Sequence, residues 1–110
     1  MPLAEPWTTR YIFSGGMMPY YKHITQFSEG LFVLEDWQNF GHYYHLTLKE
    51  WNKNFVKNWH RFSDKFDENF YRMWVFYLNF AAGAFRARRF NLWQIVFSKN
   101  GLEGGYEAVR

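Results

Sequence analysis

The 110-residue chain contains no cysteine, which excludes a disulfide framework and a thiolate metal site. It also lacks a run of about eighteen apolar residues, so the sequence predicts no membrane-spanning helix. Its first six residues, MPLAEP, have neither the basic nor the apolar stretch of a signal peptide. We therefore expect a soluble or peripheral protein that forms one domain or a piece of one.

Acidic residues are absent from Asn69 to Leu102, a stretch that carries several arginines. Four basic residues also recur at four-residue spacing, which places them on one face of a helix. These four residues are Lys49, Lys53, Lys57 and Arg61. Such a surface attracts the phosphates of lipid headgroups or of nucleic acid. For the lysine spacing alone, an ordinary solvated helix face is the favoured interpretation.

Aromatic residues make up 25% of the chain, as 13 Phe, 8 Tyr and 6 Trp. A domain of this size has little interior in which to bury so many large rings. Some of them should therefore face a ligand, a membrane or a neighbouring part of a larger protein.

The apolar pattern predicts an irregular segment at residues 1–18, then three helices and two strands. Tyr44, Leu48 and Trp51 follow one helical stripe, and Asp67 and Glu68 mark the start of the last helix. The predicted helices cover about residues 19–28, 42–59 and 67–85, and the predicted strands cover 31–37 and 92–98.

The predicted strand 92–98 has apolar residues on both faces, so it should be covered on both sides. Two strands alone do not make a stable sheet. We therefore expect this α/β segment to complete a sheet that begins in residues outside the chain.

Three strings of residues are specific enough to indicate a family. They are YIFSGGMMP at 11–19, EDWQNFGHYY at 35–44 with Thr47, Leu48 and Trp51, and a third set that begins at RMW, 72–74. The third set continues with Tyr77 and Leu78, GAFRAR at 83–88 and LWQIVFSK at 92–99.

Together these strings resemble the C-terminal third of cyclopropane-fatty-acyl-phospholipid synthases and mycolic acid cyclopropane synthases. The resemblance covers about residues 10–99. It implies the C-terminal portion of a class I, Rossmann-like methyltransferase fold, with 31–37 as the sixth strand and 92–98 as the antiparallel seventh. Residues 1–110 would then be one C-terminal segment, with the cofactor-binding N-terminal half absent.

The resemblance also implies a reaction. These enzymes transfer a methylene from S-adenosylmethionine to the cis double bond of a phospholipid acyl chain, and a bound bicarbonate acts as the base. The glycine-rich turn that holds the cofactor lies upstream in the family, so we expect no cofactor-binding residue in this segment.

Tyr44 matches the family tyrosine that contacts the bicarbonate, and its phenol can orient that anion by donating a hydrogen bond. By periodicity alone, Tyr44 belongs to the apolar stripe. Phe13, Met18 and Leu48 match positions that line the acyl channel, although core packing explains them too. Ser14 stands where the family has proline, so the loop lacks the conformational restriction that proline gives.

Arg86, Arg88 and Arg89 form a cluster that fits lipid phosphate, because a guanidinium pairs with two phosphate oxygens at once. The alternative is a charged helix end. A pair formed by His42 and His45 is weak support for a metal, and we predict none. The rings lie on helical stripes rather than on exposed strands, which argues against nucleic acid.

The resemblance implies a peripheral protein at the inner face of the cytoplasmic membrane. Its expected partners are a phospholipid bilayer surface, the missing N-terminal methyltransferase half or another chain, and further copies of itself in a homo-oligomer. Besides an enzyme segment, two alternatives stay open: a lipid-binding module without chemistry, and an inactive remnant.

Overall fold

The computed structural model describes residues 6–12 and 19–110. Within these ranges the chain forms four α-helices, one short 3-10 helix and two strands. In chain order they are α1 (Pro6–Tyr11), α2 (Tyr21–Ser28), β1 (Val33–Asn39), α3 (Gly41–Asn58), the 3-10 helix (Trp59–Arg61), α4 (Glu68–Arg86) and β2 (Trp93–Ser98).

The three predicted helices and two predicted strands are confirmed, and they agree with part of a class I methyltransferase fold. The prediction of an irregular segment at 1–18 is wrong for Pro6–Tyr11, which is helical. A proline at the first helical position costs nothing there, because the missing N–H would have no partner inside the helix.

Strand β1 begins and ends two residues later than predicted. The amide groups of Leu31 and Phe32 donate hydrogen bonds to the carbonyl of Ser28, at 3.0 and 3.1 Å, so the chain is still turning out of α2 there. Gly30 supplies the positive φ of 77° that this turn needs. β1 and β2 pair as an antiparallel two-stranded sheet.

The chain divides into two compact units. The terminal unit consists of Met1–Asp36 with Ile95–Arg110, and the central unit is Trp37–Gln94. Each unit has its own pattern of burial.

The central unit is built on α3 and α4, which run antiparallel. The ring of Tyr44 contacts Phe85, and the ring of Phe55 stacks on Tyr71, so the start of one helix faces the end of the other. A small set of apolar side chains forms the buried core of this helical pair. The core residues are Leu48, Leu78, Ala81, Ala82 and Phe85.

Backbone groups at both ends of α4 find hydrogen-bond partners in neighbouring residues. The side chain of Asp67 caps the first turn by accepting a hydrogen bond of 2.9 Å from the Phe70 amide. At the other end the amides of Arg88 and Arg89 donate to the carbonyls of Phe85 and Ala84. This is a Schellman motif, and Arg88 occupies its left-handed position with φ of 64° where glycine is usual.

Among its described residues, the terminal unit has little buried surface. Helix α2 contains no buried residue. In β2, Ile95, Val96 and Phe97 are half-buried, so they are less covered than strand residues with layers on both faces. Polar contacts join the strands, because the Ser98 hydroxyl donates to the Glu35 carboxylate at 3.3 Å.

Candidate functional site

Tyr44 is half-buried in the first turns of α3, with its ring held between two other aromatic rings. Its ring centroid lies 4.8 Å from that of Phe85 and 5.8 Å from that of Trp51, and both contacts are edge-to-face. Such contacts restrict the rotation of the phenol ring. The α3–α4 core therefore fixes the direction in which the Tyr44 side chain points.

A second tyrosine, Tyr77 of α4, packs against the same core cluster as Tyr44. Burial raises the pKa of Tyr77 above its ordinary value, and the neighbouring Tyr44 raises this pKa further. Tyr77 is therefore protonated at neutral pH, and its hydroxyl remains a hydrogen-bond donor. Tyr44 of α3 and Tyr77 of α4 therefore belong to the same helical core of the central unit.

The side chain of Asn39 makes two hydrogen bonds that stabilise the N-terminus of α3. Its side-chain oxygen accepts from the Gly41 amide at 2.9 Å, and its side-chain nitrogen donates to the Asn91 side chain at 2.9 Å. The next residue, Phe40, donates its amide to the Leu92 carbonyl at 2.7 Å. The loop after α4 and the start of α3 are thereby joined, one turn before Tyr44.

Gly41 is required by this close approach. A Cβ atom at Gly41 would lie 3.1 Å from the Asn39 side-chain oxygen and 3.3 Å from both the Asn91 Cα and the Phe90 carbonyl oxygen. Two of these neighbours are backbone atoms, which cannot move aside cheaply. The Asn-x-Gly sequence at 39–41 thus fixes the position of α3 and, with it, that of Tyr44.

Leu48 lies one turn after Tyr44 on the same face of α3, and it is only 2% exposed. The structure brings these two predicted residues together, and it places Leu48 in the centre of the helical core. Its core position fits the packing interpretation, and the channel role stays a prediction. Phe13 and Met18, the other predicted channel residues, lie outside the described residues.

Arg86, Arg88 and Arg89 surround the C-terminal end of α4, and all three are exposed. They precede Phe90 and Asn91, the two residues whose backbone meets Gly41. The arginine cluster therefore lies near the N-terminus of α3, in the same unit as Tyr44.

The sequence did not predict a site role for Tyr77 or Asn39. Both residues belong to the family strings, but periodicity indicates only that Tyr77 lies on the buried side of α4. The signal that could have found Asn39 is local, because an asparagine two residues before a helix-starting glycine is typical of a side-chain turn. No sequence signal pairs Tyr77 with Tyr44, since 32 intervening residues separate the two.

None of the described helices is long and apolar enough to cross a membrane. Across residues 6–12 and 19–110, the histidine, aspartate and glutamate side chains form no group of three that could hold a metal ion.

The sequence model of the mycolic acid cyclopropane synthetase family matches residues 2–95. Cyclopropane-fatty-acyl-phospholipid synthase of Escherichia coli K12 is 47% identical over 107 residues, which are 97% of this chain and 28% of that protein. The protein of the same name from Citrobacter freundii is 47% identical over 88 residues, which are 80% of this chain and 98% of its own length.

A more distant relative is the tuberculostearic acid methyltransferase UfaA1 of Mycobacterium tuberculosis. It is 29% identical over 102 residues, which are 89% of this chain and 24% of that protein. The chain thus spans 28% of the length of the Escherichia coli relative and 24% of the mycobacterial one.

Proposed function

This chain belongs to the mycolic acid cyclopropane synthetase family, and we propose that it forms part of a cyclopropane-fatty-acyl-phospholipid synthase. The observation that carries the proposal is the 47% identity to the Escherichia coli enzyme across 97% of the chain. Methyltransferases of this family use S-adenosylmethionine. In the proposed reaction, that cofactor would supply a methyl carbon to the cis double bond of a phospholipid acyl chain and leave as S-adenosylhomocysteine, and loss of one proton from this carbon would close the ring.

The described residues do not fit the cofactor. A strand-to-helix turn that holds S-adenosylmethionine needs open space beside its glycine, so that the ligand can approach the backbone. The only strand-to-helix turn in the described ranges joins β1 to α3, and there Asn91 and Phe90 fill the space beside Gly41. We therefore assign no cofactor contact to these residues, and we place that contact in the remainder of the enzyme.

Tyr44 fits the second expected group, a bicarbonate that accepts the proton. Its ring is fixed by Phe85 and Trp51, so the hydroxyl can donate a hydrogen bond in a constant direction. A phenol can orient the anion by a hydrogen bond without adding a charge to the site. The role of Tyr44 in the proposed enzyme is therefore positioning of the base.

The arginine cluster supports contact with the phospholipid substrate. Arg86, Arg88 and Arg89 are exposed and make no ion pair with the other described residues. Guanidinium groups in this state are available for the phosphate of a lipid headgroup. We propose peripheral binding at the inner face of the cytoplasmic membrane, with these arginines at the lipid surface.

Fragment complementation tests the proposed function. The chain is co-expressed with the Escherichia coli enzyme from which the matched 107 residues have been deleted, in a strain without its own copy of that enzyme. Gas chromatography of fatty-acid methyl esters measures the cyclopropane product. We expect product from the unchanged pair and at least a tenfold loss with Tyr44→Phe, roughly the effect of losing one positioned donor.

Tyr43→Phe is the matched control, because Tyr43 precedes Tyr44 in the same helix but is 61% exposed. It should leave the product unchanged. Equal product from Tyr44→Phe and Tyr43→Phe would remove the proposed role of Tyr44. Absence of product from the unchanged pair, with both pieces present by immunoblot, would contradict the enzyme assignment.

A lipid-binding module without chemistry is the second candidate, and the exposed arginine cluster is the observation that favours it. Binding without turnover would appear as lipid retention by the chain together with failed complementation.

By calorimetry we expect no saturable binding of S-adenosylmethionine to the isolated chain. Micromolar binding would contradict our assignment of the cofactor contacts to the remainder of the enzyme.

A further inference from the structure

The outward face of α3 combines lysines with exposed apolar side chains. Lys49, Lys53 and Lys57 are exposed, as the sequence predicts. Three large apolar residues share this face: Tyr43 is 61% exposed, Leu46 is 53% exposed and Val56 is 45% exposed. A helix face that only contacts water carries polar residues, so the apolar members need another explanation.

The two kinds of side chain are neighbours along the helix surface. Leu46 lies three residues before Lys49, and Val56 lies three residues after Lys53, and residues at this spacing stand side by side. The buried stripe, which contains Tyr44, Leu48 and Phe55, points the opposite way into α4. The lysines and the apolar side chains therefore form one continuous band, which we call the α3 band.

The α3 band has a positive charge excess. Helix α3 contains three lysines and a single acidic residue, Glu50. The Glu50 carboxylate lies 3.8 Å from the Lys53 ammonium, and both groups are largely exposed. Such an exposed pair is weak, so Lys53 can exchange this partner for another anion at little cost.

We propose that the α3 band docks on the surface of an anionic phospholipid membrane. The lysine ammonium groups pair with lipid phosphates, and Leu46 and Val56 insert at the boundary between headgroups and acyl chains, with Tyr43 beside them. Charge complementarity favours an anionic membrane. Aliphatic side chains favour a membrane over nucleic acid, because they offer no flat surface on which a base can stack.

The band continues towards the arginine cluster. Phe90 and Asn91, which directly follow Arg89, meet the backbone of Gly41 at the start of α3. Arg86, Arg88 and Arg89 therefore add exposed positive charge near the N-terminal end of α3. The proposal rests on the peripheral membrane binding of the proposed function and adds a second surface for it, the face of α3 that points away from Tyr44.

Vesicle co-sedimentation of the full 110-residue chain tests the electrostatic part. The vesicles contain either phosphatidylcholine alone or phosphatidylcholine with one third phosphatidylglycerol, at low and at physiological salt. The triple change Lys49→Gln, Lys53→Gln and Lys57→Gln is compared with a control of equal charge, Lys22→Gln, Lys65→Gln and Lys99→Gln. All six lysines are exposed, and circular dichroism checks that each variant is folded.

We expect tighter binding to the anionic vesicles, and a loss on the order of 100-fold from the α3 triple change, since each surface lysine contributes about a factor of five. The control triple change should lose much less. Equal losses from the two triple changes would overturn the proposal, and so would equal binding to both kinds of vesicle.

A single fluorescent label tests the apolar part, because the chain has no cysteine of its own. An environment-sensitive dye is attached to Leu46→Cys or, as a control, to Leu102→Cys, a position 48% exposed in the tail. We expect the emission to shift to the blue on anionic vesicles only at position 46. The same shift at both positions would overturn the proposal.

A single-stranded oligonucleotide provides the competing outcome. If the chain binds the oligonucleotide more tightly than anionic vesicles, and the α3 triple change abolishes that binding, the band is a nucleic-acid surface and the proposal is wrong. We expect instead that vesicle binding weakens in the double change Leu46→Ser and Val56→Ser. The matched double change Leu102→Ser and Val109→Ser should have little effect.

Discussion

The two units of this chain use similar residue types, but they differ in how well they bury them. In the central unit, Leu48 and Leu78 are 2% and 5% exposed. In the terminal unit, Phe27 is 71% exposed and Leu31 is 64% exposed, and the one buried side chain among its described residues is the polar Ser98. An apolar residue type therefore does not by itself predict a buried residue.

The difference follows from the elements in each unit. Two amphipathic helices of 18 and 19 residues bury their apolar stripes against each other, so the pair α3–α4 completes its own core. Strands behave differently, because a two-stranded sheet has two faces and two edges and covers none of them. The first two of the five predictions below test this contrast between the units, and the other three test what stabilises the central unit.

Amide hydrogen exchange should show the largest difference. Helix α2 has eight residues and none is buried, so its amides should exchange through local opening. The amides around Leu48 and Leu78 should exchange only when the helical pair unfolds. We expect the α2 amides to exchange at least about 1,000-fold faster in NMR measurements. Comparable rates in α2 and α4 would contradict the contrast.

Truncation of a central leucine should cost far more stability than truncation of a terminal one. Leu48→Ala opens a cavity in the α3–α4 core and should lower the free energy of unfolding by about 3 kcal/mol. Leu31→Ala removes an exposed side chain and should change it by less than about 0.5 kcal/mol. Urea denaturation followed by circular dichroism measures both. Similar losses would mean that the terminal unit is buried in solution.

Replacing each of two glycines of the central unit by alanine should change the free energy of unfolding in opposite directions. Gly41→Ala forces a Cβ against backbone atoms at 3.3 Å, and we expect a loss of about 2 kcal/mol. Gly83 lies inside α4 with open space around it, so Gly83→Ala should add about 1 kcal/mol. The same urea titration distinguishes the two. A stable Gly41→Ala variant would show that the Asn39 contacts do not fix the start of α3.

Arg88→Gly should stabilise the central unit by about 0.5 to 1 kcal/mol, because glycine adopts the positive φ of 64° without steric cost. Arg89→Gly removes the same charge at a position without positive φ, so it should bring no gain. Thermal melts of the two variants provide the comparison. A lower melting temperature for Arg88→Gly would indicate that the arginine side chain itself stabilises the helix end.

The smallest expected effect concerns alkaline pH. Burial, helped by Tyr44, raises the pKa of Tyr77 in the folded chain, so the unfolded chain loses this proton first as pH rises. Stability is therefore unaffected below the ordinary tyrosine pKa of about 10 and declines above it. Tyr77→Phe should flatten that decline in urea midpoints measured up to pH 11.5, roughly one and a half units above that pKa. Exposed Tyr43→Phe should leave it unchanged.

Most of the fold could be predicted from the sequence, because the central helices have strong periodicity. Tyr44, Leu48 and Trp51 define α3 by their spacing alone. Helix α1 escaped prediction because a single six-residue helix has no room for a periodic pattern. The two-residue displacement of β1 also escaped it, since the turn bonds to Ser28 depend on backbone geometry that composition does not encode.

The candidate site could be predicted only where a family string exists. Tyr44 was found by its string, and the structure adds the two rings that fix it. Tyr77 packs against the same core as Tyr44 because of the register between the two helices, and a single sequence does not specify that register. The apolar members of the α3 band were hidden for a different reason, because exposure is a property of the packed chain.

The placement of the tryptophans gives this chain an optical property. Five of its six tryptophans, Trp37, Trp51, Trp59, Trp74 and Trp93, belong to the central unit. Trp59 lies 5.0 Å from the Tyr71 ring, well within the distance for energy transfer from tyrosine. Ultraviolet emission will therefore report on the central unit almost alone, and events in the terminal unit need a different spectroscopic label.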